Sequence, residues 1–141
     1  MIILKEIMYK VAIEAVKGST DVAVNKMDFD SRNVGKNDIF IAIRGTISDG
    51  HDYIEKAILR GAIAVVCNNF PETIVDGITY IQVKDTNKAL AYMAANYFGN
   101  PSQNLKLVGI TGTNGKTTVA SLLYQLFKKA GFKVGLLSTV K

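Results

Sequence analysis

The sequence predicts an α/β chain in two parts: a small α/β domain over residues 1–103, then, over 104–141, the opening strand–loop–helix–strand unit of a parallel sheet. Three observations predict it. Short apolar runs of strand length alternate with segments of helical periodicity. Gly99-Asn100-Pro101 interrupts the pattern and reads as a linker. Beyond it, a glycine-bearing loop joins an apolar run to an amphipathic segment.

Each element has its own signal. Leu4, Ile7, Met8 and Val11 fall at i, i+3, i+4 and i+7, a short amphipathic helix. An extended stretch follows at 21–24, then the polar segment 28–32. Residues 38–43 are apolar and β-branched, as a buried strand should be. A polar loop covers 45–52. Ile54, Ala57 and Ile58 mark a helix that Gly61 stops. Residues 62–67 and 78–83 are two more buried strands, separated by a turn at 68–71. Asp85-Thr86 can cap a helix whose inner face is Leu90, Met93, Ala94 and Tyr97. In the second part, 105–110 is a strand, 111–115 a loop and 116–130 a helix lined by Leu122, Leu123, Leu126, Phe127 and Ala130. Gly131 ends that helix and 133–138 is a strand. Two strands and one helix cannot cover their own faces, so this second part is expected to be incomplete. Its exposed edge at 133–138 is expected to favour self-association.

Composition narrows the function. The 141 residues are 48% hydrophobic and 21% charged, with 2 prolines, which argues against wholesale disorder. The net charge of +5 comes from lysines scattered along the chain. With no recognition helix, aromatic platform or basic run, anionic small ligands suit that charge better than nucleic acid. Cys67 is the one cysteine, so no internal disulfide is possible, and its apolar setting predicts a buried structural thiol. Charge enters at Lys5 and Glu6, too early for a signal peptide. No apolar stretch approaches the roughly 18 residues that a membrane span needs. The chain is therefore expected to be soluble and cytoplasmic, with neither nucleic acid nor membrane as a partner.

The strongest chemical signal is Gly109-Ile110-Thr111-Gly112-Thr113-Asn114-Gly115-Lys116-Thr117-Thr118. Phosphate oxygens need convergent N–H donors, and a glycine-bearing turn entering a helix supplies them. Lys116 would place a cation on the terminal phosphates, and the Thr117 hydroxyl would join a Mg²⁺ shell. The phosphate-binding set is thus Gly112, Thr113, Asn114, Gly115, Lys116, Thr117 and Thr118, with Lys116 and Thr117 in catalytic roles and Thr117 on the metal. The general P-loop pattern places a glycine where Ile110 stands; Gly109 is one residue early. The core Gly112-x-x-Gly115-Lys116-Thr117 is kept.

Asp30-Ser31-Arg32, the strand from Asp38, the segment Gly45-Thr46-Ile47-Ser48-Asp49-Gly50-His51 and the run from Gly61 to Val66 carry no general chemical motif. Together with the glycine loop, however, their order resembles the N-terminal part of the Mur ligase family. Within it the loop and the tail at 131–140 are most like the MurE branch. The resemblance spans about residues 20–140 and implies a uridine-nucleotide-binding α/β domain followed by the start of a P-loop-type parallel-sheet ATPase domain. It implies that Phe29 and Ser31 flank a uracil, and that Thr46, Ile47 and Ser48 lie on the loop facing the uridine diphosphate. Arg32 and Asp49 would hold these loops in shape. His51, the lone histidine, would be structural, because it lies in the uridine domain.

The resemblance further implies an ATP- and Mg²⁺-dependent amide ligase of peptidoglycan precursor synthesis. Its partners would be UDP-MurNAc-dipeptide and an amino acid, diaminopimelate or lysine, and the full-length protein would be a monomer. The 141 residues alone are expected not to ligate. Three alternatives stand beside this reading: a MurF-like or other Mur-type ligase, a P-loop kinase or NTPase with an unrelated front domain, and a non-catalytic nucleotide-binding module.

Overall fold

The computed structural model describes residues 1–46 and 48–139. The chain divides into two compact units, Met1–Asn104 and Leu105–Lys141.

The first unit is built on a mixed five-stranded sheet. Its centre is β5 (Asp38–Ile41), β6 (Ala62–Cys67) and β7 (Thr79–Val83), running parallel. These strands are buried along almost their whole length, which is why they read as unbroken apolar runs. β4 (Met27–Asp28) adds a parallel strand beside β5. β2 (Ile13–Lys17) lies antiparallel along β7 and forms the opposite edge. β2 is absent from the sequence reading for a physical reason: on an edge only Ala15 is half-buried, and Glu14 and Lys17 interrupt the apolar signal.

Side chains leave the sheet alternately. On one face Ile39, Ile41, Val66, Ile81 and Val83 pack with Leu4, Ile7 and Met8, and with Ala89 and Met93. These come from α1 (Leu4–Ile7) and the turn after it, and from α3 (Thr86–Tyr97). A two-stranded ribbon of β1 (Ile2–Ile3) and β3 (Ala23–Val24) borders this layer. On the other face Phe40, Val65, Cys67 and Tyr80 pack against Ile54 and Ala57 of α2 (Ile54–Leu59). Truncating Ile39 or Phe40 to Ala would cost about 2–5 kcal/mol through lost burial and the cavity left behind. The inner face of α3 is centred on Thr86, Ala89 and Met93. Leu90 and Tyr97 are only partly buried against the core, so the stripe is turned one step from that predicted.

In the second unit α4 (Lys116–Lys129) forms as expected. The runs 105–110 and 133–138, read as strands, form no ladder among the described residues. A strand exists only as a pair, because its N–H and C=O groups need a neighbour to satisfy them. α4 has no buried residue, and its intended inner face stays open, with Leu122 59% and Leu126 60% exposed.

Candidate functional site

Two groups of loops carry the predicted residues. The first is the glycine loop of the second unit. Gly112 has φ +148° and Gly115 φ +77°, backbone conformations that a side chain disfavours. Gly115 is the N-cap of α4, and among the described residues no side chain caps the helix and no acidic residue sits in its first turn. The first helical hydrogen bond is Val119 N–H to the Gly115 carbonyl, 2.9 Å. The amides of Lys116, Thr117 and Thr118 therefore lie in the open first turn, where the helix dipole is positive.

The loop curls around its own lysine. The Lys116 ammonium donates to the carbonyl oxygens of Gly112 and Thr113, the latter at 3.2 Å. Thr113, Asn114, Lys116 and Thr118 are exposed and Thr117 is half-buried. The stretch is thus bent and reachable by solvent, and among the described residues it sets the Lys116 ammonium beside amides that no side chain engages. This donor set fits a phosphate chain: N–H groups and an ammonium, with no carboxylate to repel it.

The second group lies at the C-terminal edge of the first unit's sheet. β4 and β5 are parallel neighbours, so the loops that follow them leave from the same edge. Phe29 and Ser31 are on the first loop and Thr46 and Ser48 on the second. The topology brings to one edge residues that the sequence separates by about 15 positions. Phe29 is 62% exposed, Ser31 is buried, and Thr46 and Ser48 are exposed. Ile47 lies outside the described residues.

Both loops are stapled by carboxylates. Asp28 accepts from the amide of Asp30 at 2.9 Å. Asp30 accepts from the Arg32 guanidinium at 2.7 Å and from the Arg32 amide at 2.9 Å. The Arg32 side chain and then its amide hold the Asp30 carboxyl down at about 2. In the second loop Asp49 accepts from the His51 amide at 3.0 Å and faces the His51 ring nitrogen Nδ1 at 2.6 Å. It also accepts from Arg44 Nε at 2.9 Å. The His51 amide, then its ring, then Arg44 hold the Asp49 carboxyl at about 2. Arg32 and Asp49 are therefore engaged within the loops they were expected to shape.

Sequence reasoning missed Asn68, which follows β6 on the same edge. Its side chain donates to the carbonyls of Val83 and Lys84 at 3.1 and 2.9 Å. Its backbone N–H donates to His51 Nε2 at 2.9 Å. Asn68-Asn69 reads in sequence as an ordinary turn, and no local signal marks the first asparagine as a hub. Beside it lies a cavity of about 770 Å³, lined among others by Arg44, Asn68, Lys84 and Lys88. Cys67, directly before Asn68, is buried, and burial pushes its thiol up to about 11.

Comparison with known proteins adds a further layer. A family profile described as "Mur ligase family, catalytic domain" matches residues 23–98. A second, "Mur ligase middle domain", matches residues 110–141. The chain is 53% identical over 139 residues to the UDP-N-acetylmuramoyl-L-alanyl-D-glutamate--2,6-diaminopimelate ligase of Cytophaga hutchinsonii, covering 98% of this chain and 29% of that protein. It is 47% identical over 137 residues to the enzyme of the same name from Bacteroides fragilis, covering 97% of this chain and 28% of that one. The chain thus spans 28–29% of the length of these relatives. A crystal structure of MurF from Acinetobacter baumannii matches with a TM-score of 0.64, covering 89% of this chain and 27% of that one. At 21% identity that likeness speaks for the fold. A Thermotoga maritima MurF ligase, solved in complex with ADP, matches with a TM-score of 0.52 at 30% identity over 75% of this chain and 24% of its own.

Proposed function

The chain belongs to the Mur ligase family, and from that premise we propose that it is the front part of a cytoplasmic, ATP-dependent amide ligase that adds a diamino acid to UDP-MurNAc-L-Ala-D-Glu. Relatives at 47% and 53% identity carry the name of a diaminopimelate ligase acting on that acceptor, which supports this branch over a MurF-like one. In this reading residues 1–103 hold the uridine end of the substrate. Phe29 and Ser31 flank the base, while Thr46, Ile47 and Ser48 face the diphosphate. Residues 104–141 begin the ATP-binding domain.

The observation that carries the proposal is the bent loop 112–118, with the Lys116 ammonium at its centre and an uncapped helix behind it. Such a ligase must convert a carboxylate, whose leaving group would be oxide, into an acyl phosphate that an amine can attack. The transferring phosphoryl group carries negative charge, so fixed donors stabilise it most where charge develops. The amides near Gly115 and the Lys116 ammonium would bind and orient the terminal phosphates. The Thr117 hydroxyl, half-buried at the second helical position, would be a ligand of Mg²⁺. When bound, that ion neutralises phosphate charge and holds the chain of phosphates in line.

Separate titrations of the 141-residue chain with UDP and with ATP plus Mg²⁺ test the proposal. UDP is expected to bind more tightly than ATP. Lys116→Ala is expected to weaken ATP by about tenfold or more, through loss of a charge-assisted contact, and to leave UDP unchanged. ATP binding that ignores the Lys116→Ala change would sink the phosphate-loop reading.

A further inference from the structure

The histidine ring at the sheet edge is held at both nitrogens, and its partners fix where its proton sits. A backbone N–H can only donate, so the Asn68 amide, 2.9 Å from Nε2, makes that nitrogen an acceptor. The ring proton is therefore on Nδ1, which donates to Asp49 Oδ1 at 2.6 Å. Asn68 itself is fixed: its carboxamide bonds Val83 and Lys84, and its carbonyl accepts from Gln82 Nε2 at 3.0 Å. On the far side Asp49 pairs with Arg44, and a bridge between these two residues closes the base of the hairpin that carries Thr46 and Ser48. One continuous path of hydrogen bonds thus runs from the ends of β6 and β7 to the base of that hairpin.

We infer that His51 is a positioning residue for the uridine nucleotide, holding the hairpin base that carries Thr46 and Ser48 at the sheet edge by bridging Asp49 to Asn68. This inference rests on the assignment of that loop to the uridine diphosphate. The path supplies what a solvated hairpin lacks, a rigid anchor in the sheet. The His51 side chain is 16% exposed and that of Asp49 33%, so the bridge is partly shielded from competing water. Preorganising a loop in its bound shape improves affinity by removing the ordering penalty at binding.

Two substitutions divide the ring's roles. His51→Gln places an acceptor near the position of Nε2 and keeps the link to Asn68; it gives up the ring's contact with Asp49, but the backbone amide of residue 51 still donates to that carboxylate, so the bridge stays closed. His51→Asn places a donor near the position of Nδ1 and keeps only the link to Asp49. UDP affinity is expected to stay within about threefold of wild type in His51→Gln and to fall about tenfold in His51→Asn, the size expected for one lost, partly shielded hydrogen bond. The chain has one histidine, so nitrogen NMR reads its ring without ambiguity. A protonated Nδ1 and a bare Nε2 are expected in the wild-type chain, whether or not the asparagine variant folds. A proton on Nε2, or unchanged UDP affinity in a folded His51→Asn chain, overturns the inference and leaves the uridine assignment standing. Absence of UDP binding in the wild-type chain removes both.

Discussion

Gly50 shows at the scale of one residue why a short motif is worth keeping. A Cβ there would lie 2.6 Å from the Ile43 nitrogen and 2.7 Å from the Ile43 oxygen. Both are backbone atoms of the half-buried segment just past β5, and the Gly50 amide bonds that same oxygen at 2.8 Å. Gly50→Ala is therefore expected to destabilise the first unit by about 1–3 kcal/mol, as overpacking does, measured by urea unfolding. Asp30 and Asp49 set an acid limit. Both carboxyls sit at about 2 in the folded chain, against about 3.9 when unfolded. Because the folded values are depressed, the stability they contribute is present above about pH 4 and is lost as pH falls toward about 2. Urea midpoints should drop through that window, and the drop should shrink in Asp49→Asn. The role of Asp49 was legible in sequence only as a resemblance. Its geometry became visible once Arg44 and His51 were seen to share its two oxygens.

Elements were legible in proportion to their burial. β5, β6 and β7 are buried strands, and they announce themselves as apolar runs of strand length. α3 announces its start through Asp85, whose side chain accepts from the Lys88 amide at 2.9 Å. Asp85→Ala should therefore cost about 1 kcal/mol, the usual loss for an N-cap, measured as a fall in Tm or in urea midpoint. β2 was not legible, because an edge strand half-faces water and needs no alternation. β4 is two residues long, too short to leave any period. In the second unit the local helix signal was sufficient for α4. The flanking runs at 105–110 and 133–138 were read from apolar content alone, which says nothing of whether a partner strand lies beside them.

At the scale of the whole molecule, the glycine loop of the candidate site was readable in one dimension, because its residues are contiguous. The sheet-edge part was readable only by family likeness, since Asn68 and His51 meet through topology. Cys67 gives a direct probe of the first unit. Its thiol is fully buried and held up at about 11, so it should resist a thiol-reactive dye while the sheet is intact. Labelling should begin only when the sheet opens, and UDP should slow it if the nucleotide binds the folded unit. Fast labelling of native protein would show that the sheet breathes at β6. The bare stripe on α4 has a different consequence, for handling. Leu122, Leu126 and Phe127 present oily surface to water while the first unit stays well packed. A fluorescent dye that lights up on greasy patches should glow with the native chain, a signal usually taken for partial unfolding. Charging the stripe with Leu122→Glu and Leu126→Glu should darken it without moving the Cys67 labelling rate.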